Sequence, residues 1–312
     1  MKKALIIGGG GFVGGYLIER LRESGKAVYV TKLPVEKIEK AEGVAKVYDL
    51  DVADAADVKR VLCDCKPDEI YHLAAVSSVK VSWEKPELTA KVNVLGAISL
   101  LEGVRATCPN ARVIVVGSSE EYGKIDYAVP VKEDALPAPQ NVYAVTKLTQ
   151  EYLAQVYHAA YGLNVVATRS FNHIGPRQAP QFVVADFCKQ TAMIERGECE
   201  PVIRVGNLSA KRDFTDVRDV VRAYELLAEK GKAGETYNVG SGKSIAVDEI
   251  LRYILSLSKV QIEVRVDEKK FRPVDVPEIK ADIAKIAAIG YAPRIDVFET
   301  VRETLEYYRT LA

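Results

Sequence analysis

The sequence predicts a doubly wound, parallel α/β sheet with a smaller mixed α/β domain after it. Short apolar runs, ALII (4–7), AVYV (27–30), AKVY (45–48), EIYHLA (69–74), RVIVV (112–116) and NVVATR (164–169), alternate with segments of helical period. Parallel strands need crossovers, and right-handed crossovers cover both faces of such a sheet. The second observation is G-x-x-G-x-x-G at Gly8, Gly11 and Gly14, directly after the first run and opening the helical FVGGYLIERL. The third is a change of texture beyond residue 171, where GPRQAP reads as loop and a charged stretch runs from VDEKK to FRPVDVP. RDVVRAYELLAEKG still reads as a helix, and TYNVG (236–240) as a strand able to return to the first sheet. The expected organisation is a Rossmann-type domain at 1–170, with about 211–240 returning to it, and a second domain at 171–210 and 241–312.

Composition narrows the function. The chain has 312 residues, 48% hydrophobic and 28% charged, with 43 basic and 43 acidic side chains. A balanced charge gives no field for nucleic acid or an anionic membrane, so any anionic ligand needs local cations. Five cysteines are an odd number scattered along a long chain, which fits a reducing compartment. The C-x-C of Cys63 and Cys65 lacks the second ligand pair of a zinc site, and no metal is expected. Lys2 and Lys3 precede an apolar stretch, but it is short and Glu19 and Arg20 follow. The expectation is a soluble, cytoplasmic protein.

The glycine pattern is placed for an anion. Glycine allows a tight turn and close backbone approach, and the helix that begins with Phe12 and Val13 offers unpaired N–H groups to a pyrophosphate. The end of the second strand carries an acidic residue when the ligand is NAD. Here it reads Thr31 and Lys32, a hydroxyl and an ammonium that suit a 2′-phosphate. NADP(H) is favoured, and NAD(H) stays open because Lys32 also suits a solvated surface.

Tyr143 and Lys147 lie in the helical NVYAVTKLTQEYLAQVYHAAYG, with Asn141 as its cap. Residues four apart share a face, and an ammonium beside a phenol is expected to lower the phenol's pKa and suit it to proton transfer. GSSEEYG (117–123) follows the fifth run, so its side chains are expected to enter the crevice beyond the strand ends, the alternative being a solvated turn.

Glycine loop, post-strand hydroxyl and Y-x-x-x-K together resemble the extended short-chain dehydrogenase/reductase family, nucleotide-sugar branch, over nearly the whole chain. The resemblance implies that Ser118 of S-x-x-x-Y-G acts with Tyr143 and Lys147, that Asp49 and Leu50 lie near adenine, and that Ala74, Ala75 and Asn93 lie beside the cofactor. SFNHIGP, VGNLSAKRDFTDVRD and RPVDVP look like the GDP-mannose 4,6-dehydratase group. By that likeness Asn172 and Arg212 hold a diphosphate, Arg272 assists, Asp275 accepts from a ribose hydroxyl, and Ser78, Ser119 and Glu120 meet the sugar. Arg177 is either a further substrate contact or a surface charge. Asp275 stands where the dehydratases carry Glu.

The implied activity is NAD(P)H-dependent reduction of the 4-keto group of GDP-4-keto-6-deoxy-D-mannose to give GDP-D-rhamnose. Ser118 binds the ketone, Tyr143 donates the proton, and Lys147 orients the nicotinamide ribose. Glu120, the position at which dehydratases remove a sugar proton, keeps dehydratase or bifunctional activity open, alongside another epimerase or reductase. A redox sensor without turnover is the non-enzyme alternative. The helices around 83–106 and 142–161 carry apolar residues on more than one face, and a homodimer through them is expected. His72, His158 and His173 have no metal-binding spacing, and only His173 falls near the expected site.

Overall fold

Each apolar run of the first half forms a strand in the computed structural model, which describes all residues except 39–41, 125–129, 272–275 and 312. These are β1 (Lys3–Ile7), β2 (Ala27–Lys32), β3 (Lys46–Asp49), β4 (Glu69–His72), β5 (Arg112–Ser118) and β6 (Val165–Ser170). Shorter strands follow: β7 (Asn172–Ile174), β8 (Val202–Val205), β9 (Lys211–Arg212), β10 (Phe214–Asp216), β11 (Thr236–Val239), β12 (Ile245–Ala246), β13 (Glu263–Val266) and β14 (Glu278–Ile279). The main sheet has the order β11-β6-β5-β4-β1-β2-β3, and every pairing in it is parallel. The remaining strands form small pairs and one three-stranded sheet, β12-β9-β14.

Helices α1 (Phe12–Glu23), α2 (Ala55–Cys65), α3 (Val79–Glu84), α4 (Pro86–Ala90), α5 (Gly96–Thr107) and α6 (Val142–Tyr161) fill the first half. A single π-helical turn, Lys91–Leu95, joins α4 to α5. Then come α7 (Val183–Glu195), α8 (Val217–Lys230), α9 (Val247–Ser256), α10 (Ala284–Ala287) and α11 (Val297–Thr310). Alternation along β1 sorts the two faces: Ala4 and Ile6 join α1 and α8 through Leu17, Leu21, Val220 and Leu227, while Leu5 and Ile7 join α2 and α5 through Leu62, Leu100 and Val104. Each such buried aliphatic contributes about 1.5–3 kcal/mol. A separate apolar cluster unites α7, α9 and α11, with Phe187, Ile250, Leu251 and Leu305 at its centre.

Local chemistry sets the helix ends near the crevice. The Asn141 side chain accepts from Ala144 N–H at the start of α6, and Gly162, at φ +69°, ends it. Asp216 caps α8 by accepting from Arg218 N–H. No helix among the described residues is long and apolar enough to cross a membrane, and no group of three or more His, Cys, Asp or Glu among them has metal-binding geometry.

β11 is tied to the neighbouring loops by Asn238, which is fully buried. Its amide donates to Val131 O (2.8 Å) and Asp282 O (3.1 Å) and accepts from the Tyr122 hydroxyl (2.7 Å). Asn238→Ala leaves these three groups without their partner and should cost about 2–4 kcal/mol, read as a lowered midpoint in denaturant unfolding.

Candidate active site

The candidate site lies at the C-terminal ends of β1, β4, β5 and β6. At the end of β1, Gly8 has φ +86°, and a Cβ there would lie 2.7 Å from Ala74 N; at Gly14 it would lie 2.5 Å from Gly9 O. Only glycine lets the loop pack this closely on the β4 exit and on itself. Gly11 caps α1 without a side chain, so the first N–H groups of the helix, those of Phe12 and Val13 among them, have no side-chain acceptor from the cap, and a small concavity lined by Gly9, Gly10, Gly11, Phe12, Gly15 and Arg177 lies at this end. This donor set fits a dinucleotide pyrophosphate.

Around this loop the expected cofactor residues have varied placements. Thr31 is buried, its hydroxyl accepting from Gly8 N–H (3.2 Å) and its carbonyl from Gly9 N–H (2.8 Å), so it props the loop rather than waiting for a phosphate. Lys32 Nζ is 2.5 Å from Asp49 Oδ1, pairing two groups read separately from sequence. Glu36, unread in the sequence, lies over the loop, with Oε2 2.9 Å from a Cβ built on Gly10. Leu50 is packed in the α2/α5 cluster. Ala74 and Ala75 are half-buried on the β4 exit. Asn93 is fully buried in the π-helical turn, where its side chain clamps Val76 N–H (2.8 Å), Val76 O (3.2 Å) and Thr146 (2.9 Å). It therefore holds the segment after Ala75 against α6.

Ser118, Tyr143 and Lys147 come together as expected of the sequence. β5 ends at Ser118, whose hydroxyl accepts from Glu120 N–H (3.2 Å) and hydrogen-bonds the Tyr143 phenol. Tyr143 and Lys147 are both buried on the inner face of α6. The expected lowering of the Tyr143 pKa is not what the structure gives. Burial pushes the phenol well above its ordinary range, the Ser118 bond opposes this, and the nearby carboxyls of Glu121 and Glu120 add to the rise. Lys147 Nζ instead donates to Val116 O (2.7 Å) and Gln150 Oε1 (2.9 Å). Its own burial brings the ammonium down to about 8, with Glu121 pulling the other way.

Sequence reasoning passed over Gln150 and Glu121. Gln150, three residues after Lys147 and so on the same helical face, donates to Asn93 O (2.7 Å) and lies 3.4 Å from His72 Nε2. His72 is fully buried, and burial followed by the Lys147 charge lowers its pKa to about 3, which keeps the imidazole neutral. Glu121 Oε1 accepts from Ser118 N–H at 2.6 Å. S-x-x-E, Ser118 to Glu121, is a capping-box spacing and was the available signal.

On the substrate side, Glu120 Oε2 accepts from the Asn141 amide at 3.0 Å, Ser119 is buried beside it, and Ser78 caps α3. Asn172 is exposed at the start of β7 and pairs in register with Phe214, two residues after Arg212. Arg212 donates to Val276 O at 2.6 Å. Arg272 and Asp275 lie outside the described residues. Arg177 is placed against the glycine loop, in the left-handed region at φ +73°, its guanidinium 4.1 Å above the Tyr16 ring and 3.8 Å from Glu19.

A sequence profile of the GDP-mannose 4,6 dehydratase family matches residues 5–304. The chain belongs to this family. It is 32% identical over 241 residues to a GDP-6-deoxy-D-mannose reductase of Pseudomonas aeruginosa, covering 77% of this chain and 79% of the relative. It is 29% identical over 348 residues to a GDP-mannose 4,6-dehydratase of Yersinia enterocolitica, covering 97% and 92%. The fold matches the structure of RMD from Pseudomonas aeruginosa complexed with NADPH, with a TM-score of 0.87, 28% identity and full coverage of both chains. The motif resemblance and the Rossmann-type sheet are thereby shown, and the family is one of GDP-sugar dehydratases and reductases of the extended short-chain dehydrogenase/reductase type.

The Lys147 environment has a measurable consequence. Between about 8 and 10.5 the unfolded chain still binds the lysine proton and the folded chain does not, so this group makes stability rise with pH. The free-energy difference between wild type and Lys147→Met in denaturant unfolding should shift by on the order of 3 kcal/mol in favour of wild type across that window.

Proposed function

We propose that the protein reduces the 4-keto group of GDP-4-keto-6-deoxy-D-mannose, giving GDP-D-rhamnose. The observation that carries this reading is the placement of the Tyr143 phenol, a protonated hydroxyl buried beside Ser118 on the face of α6 that also carries Lys147. A site that begins its cycle with a proton to give suits a ketone acceptor, whereas a cycle that begins by oxidising an alcohol needs the phenolate. A bound nicotinamide supplies the hydride. Ser118 hydrogen-bonds the ketone oxygen, Tyr143 passes its proton to that oxygen, and the Lys147 ammonium steadies the negative charge then left on the phenol. Asn172 and Arg212 hold the diphosphate in this reading, with Arg272 and Asp275 beside the nucleoside.

A second reading, dehydratase or bifunctional activity, is favoured by Glu120, a carboxylate beside Ser118 and fixed by Asn141. Lys32 in place of an acidic residue supports NADP(H), and Glu36 over Gly10 supports NAD(H) through a ribose diol. Purified protein is expected to consume NADPH with the keto sugar and not with GDP-mannose; a keto product from GDP-mannose without net cofactor use would establish the dehydratase instead. Tyr143→Phe should lower kcat by about 10²- to 10⁴-fold while cofactor binding persists.

A homodimer is part of the proposal. On α6 the face opposite Tyr143 and Lys147 presents Val145, Tyr152 and Val156, 50%, 48% and 58% exposed, and Trp83, Leu88 and Leu95 add exposed apolar surface nearby in sequence to Asn93. A second copy would cover this surface. Val156→Glu should convert the dimer to monomer in sedimentation velocity, while wild type sediments as a dimer. A cytoplasmic location is proposed on the five free cysteines.

A further inference from the structure

Behind the catalytic residues lies a buried ionisable cluster. Glu121, Glu151 and Arg169 are all nearly inaccessible to solvent. Arg169 on β6 forks onto Glu151 of α6, Nε to Oε2 at 2.9 Å and Nη2 to Oε1 at 2.8 Å, and its Nε stands 3.6 Å from Glu121 Oε2. The guanidinium also lies 4.6 Å above the Tyr122 ring and donates to Glu133 O. One guanidinium thus faces two carboxyl groups, and its fork is already spent on Glu151. Glu121 Oε1 accepts the Ser118 N–H, whereas Glu121 Oε2 finds no hydrogen-bond donor among the described residues. A hydrogen bond between Glu121 and its neighbour Glu151 needs a proton on one of the two carboxyls. That proton resolves both the missing donor and the excess negative charge. Burial and Glu151 together raise the Glu121 carboxyl well above the usual carboxylate range. Gly117 leaves the room for this arrangement, since a Cβ there would lie 2.4 Å from Glu121 Oε1.

We propose that Glu121 is a positioning residue that works as a neutral carboxylic acid, fixing the backbone of Ser118 through one oxygen and giving its proton to Glu151 through the other. A neutral group suits the place. An ionised Glu121 would add a negative charge beside Tyr143 and Lys147, making the phenol a poorer proton donor to a ketone. The other charged groups facing it are Glu120 on its own turn, Arg169 on β6, and Glu151 and Lys147 on α6.

The inference rests on the proposed reduction only for its rate readout, and two readouts need no substrate. Glu121→Gln reproduces the acid's pattern, its oxygen accepting from Ser118 and its amide donating to Glu151. In the infrared difference spectrum of wild type minus Glu121→Gln at neutral pH, the carbonyl stretch of a protonated carboxyl should appear; carboxylate bands alone would overturn the proposal. Amide hydrogen exchange in the segment 117–123 should stay within about 3-fold of wild type in Glu121→Gln and rise at least about 10-fold in Glu121→Ala. Equal exchange in wild type and Glu121→Ala would overturn the positioning role. With the keto sugar, kcat should survive in Glu121→Gln and fall about 10-fold or more in Glu121→Ala with little change in cofactor KM. A glutamine variant as impaired as the alanine one would count against the neutral acid. Should wild type not turn over the keto sugar, the reduction reading fails, and the infrared and exchange results still decide the role of Glu121.

Discussion

All seven strands of the main sheet run the same way, and this constraint decides where chemistry can occur. Parallel pairing forces a crossover after each strand, the crossovers cover both faces, and residues facing either side are buried along the central strands, the edge strand β3 being mostly exposed. The sheet's C-terminal edge is where β1, β4, β5 and β6 release their chains, and there the glycine loop, the Ala74 segment and Ser118 converge. α6 then lies against β5 so that Tyr143 and Lys147 face the same edge.

Much of this could be read in the sequence because it depends on local spacing. The six apolar runs are strands, Gly8 and Gly14 sit where a Cβ would collide with backbone, and Tyr143 and Lys147 share a helix face beside Ser118. What could not be read is which partner each polar group takes. Thr31 and Lys32 look available for a phosphate until folding brings Gly8 to one and Asp49 to the other. Lys147 looks like a partner for Tyr143 until the carbonyl oxygens of Val116 and of the Gln150 amide accept its hydrogen bonds, leaving desolvation to govern the phenol. Arg177 reads equally as a substrate contact or a surface charge, and the fold lays its guanidinium over the Tyr16 ring beside the glycine loop. Long-range contacts such as these have no period.

The cluster of Glu121, Glu151 and Arg169 places charged chemistry inside a hydrophobic scaffold. Paired and hydrogen-bonded, such groups roughly offset their own desolvation; with one member removed, the remaining charge is stranded in a poorly solvated site. Glu121 and Glu151 belong to different elements, the turn after β5 and helix α6, so their shared contact with Arg169 joins the element bearing Ser118 to the element bearing Tyr143.

Asn141 uses both ends of one amide: its oxygen starts α6 and its nitrogen holds Glu120. Among good helix-capping residues, aspartate would keep the start but repel that carboxylate, and serine would keep it without reaching. Exchange of Asn141 for serine, a one-base change in the gene, would keep the cap and remove the contact that Asn141 makes with Glu120. Evolution between related chemistries in such a fold therefore has a short path in which one contact is removed, with no new group to be installed.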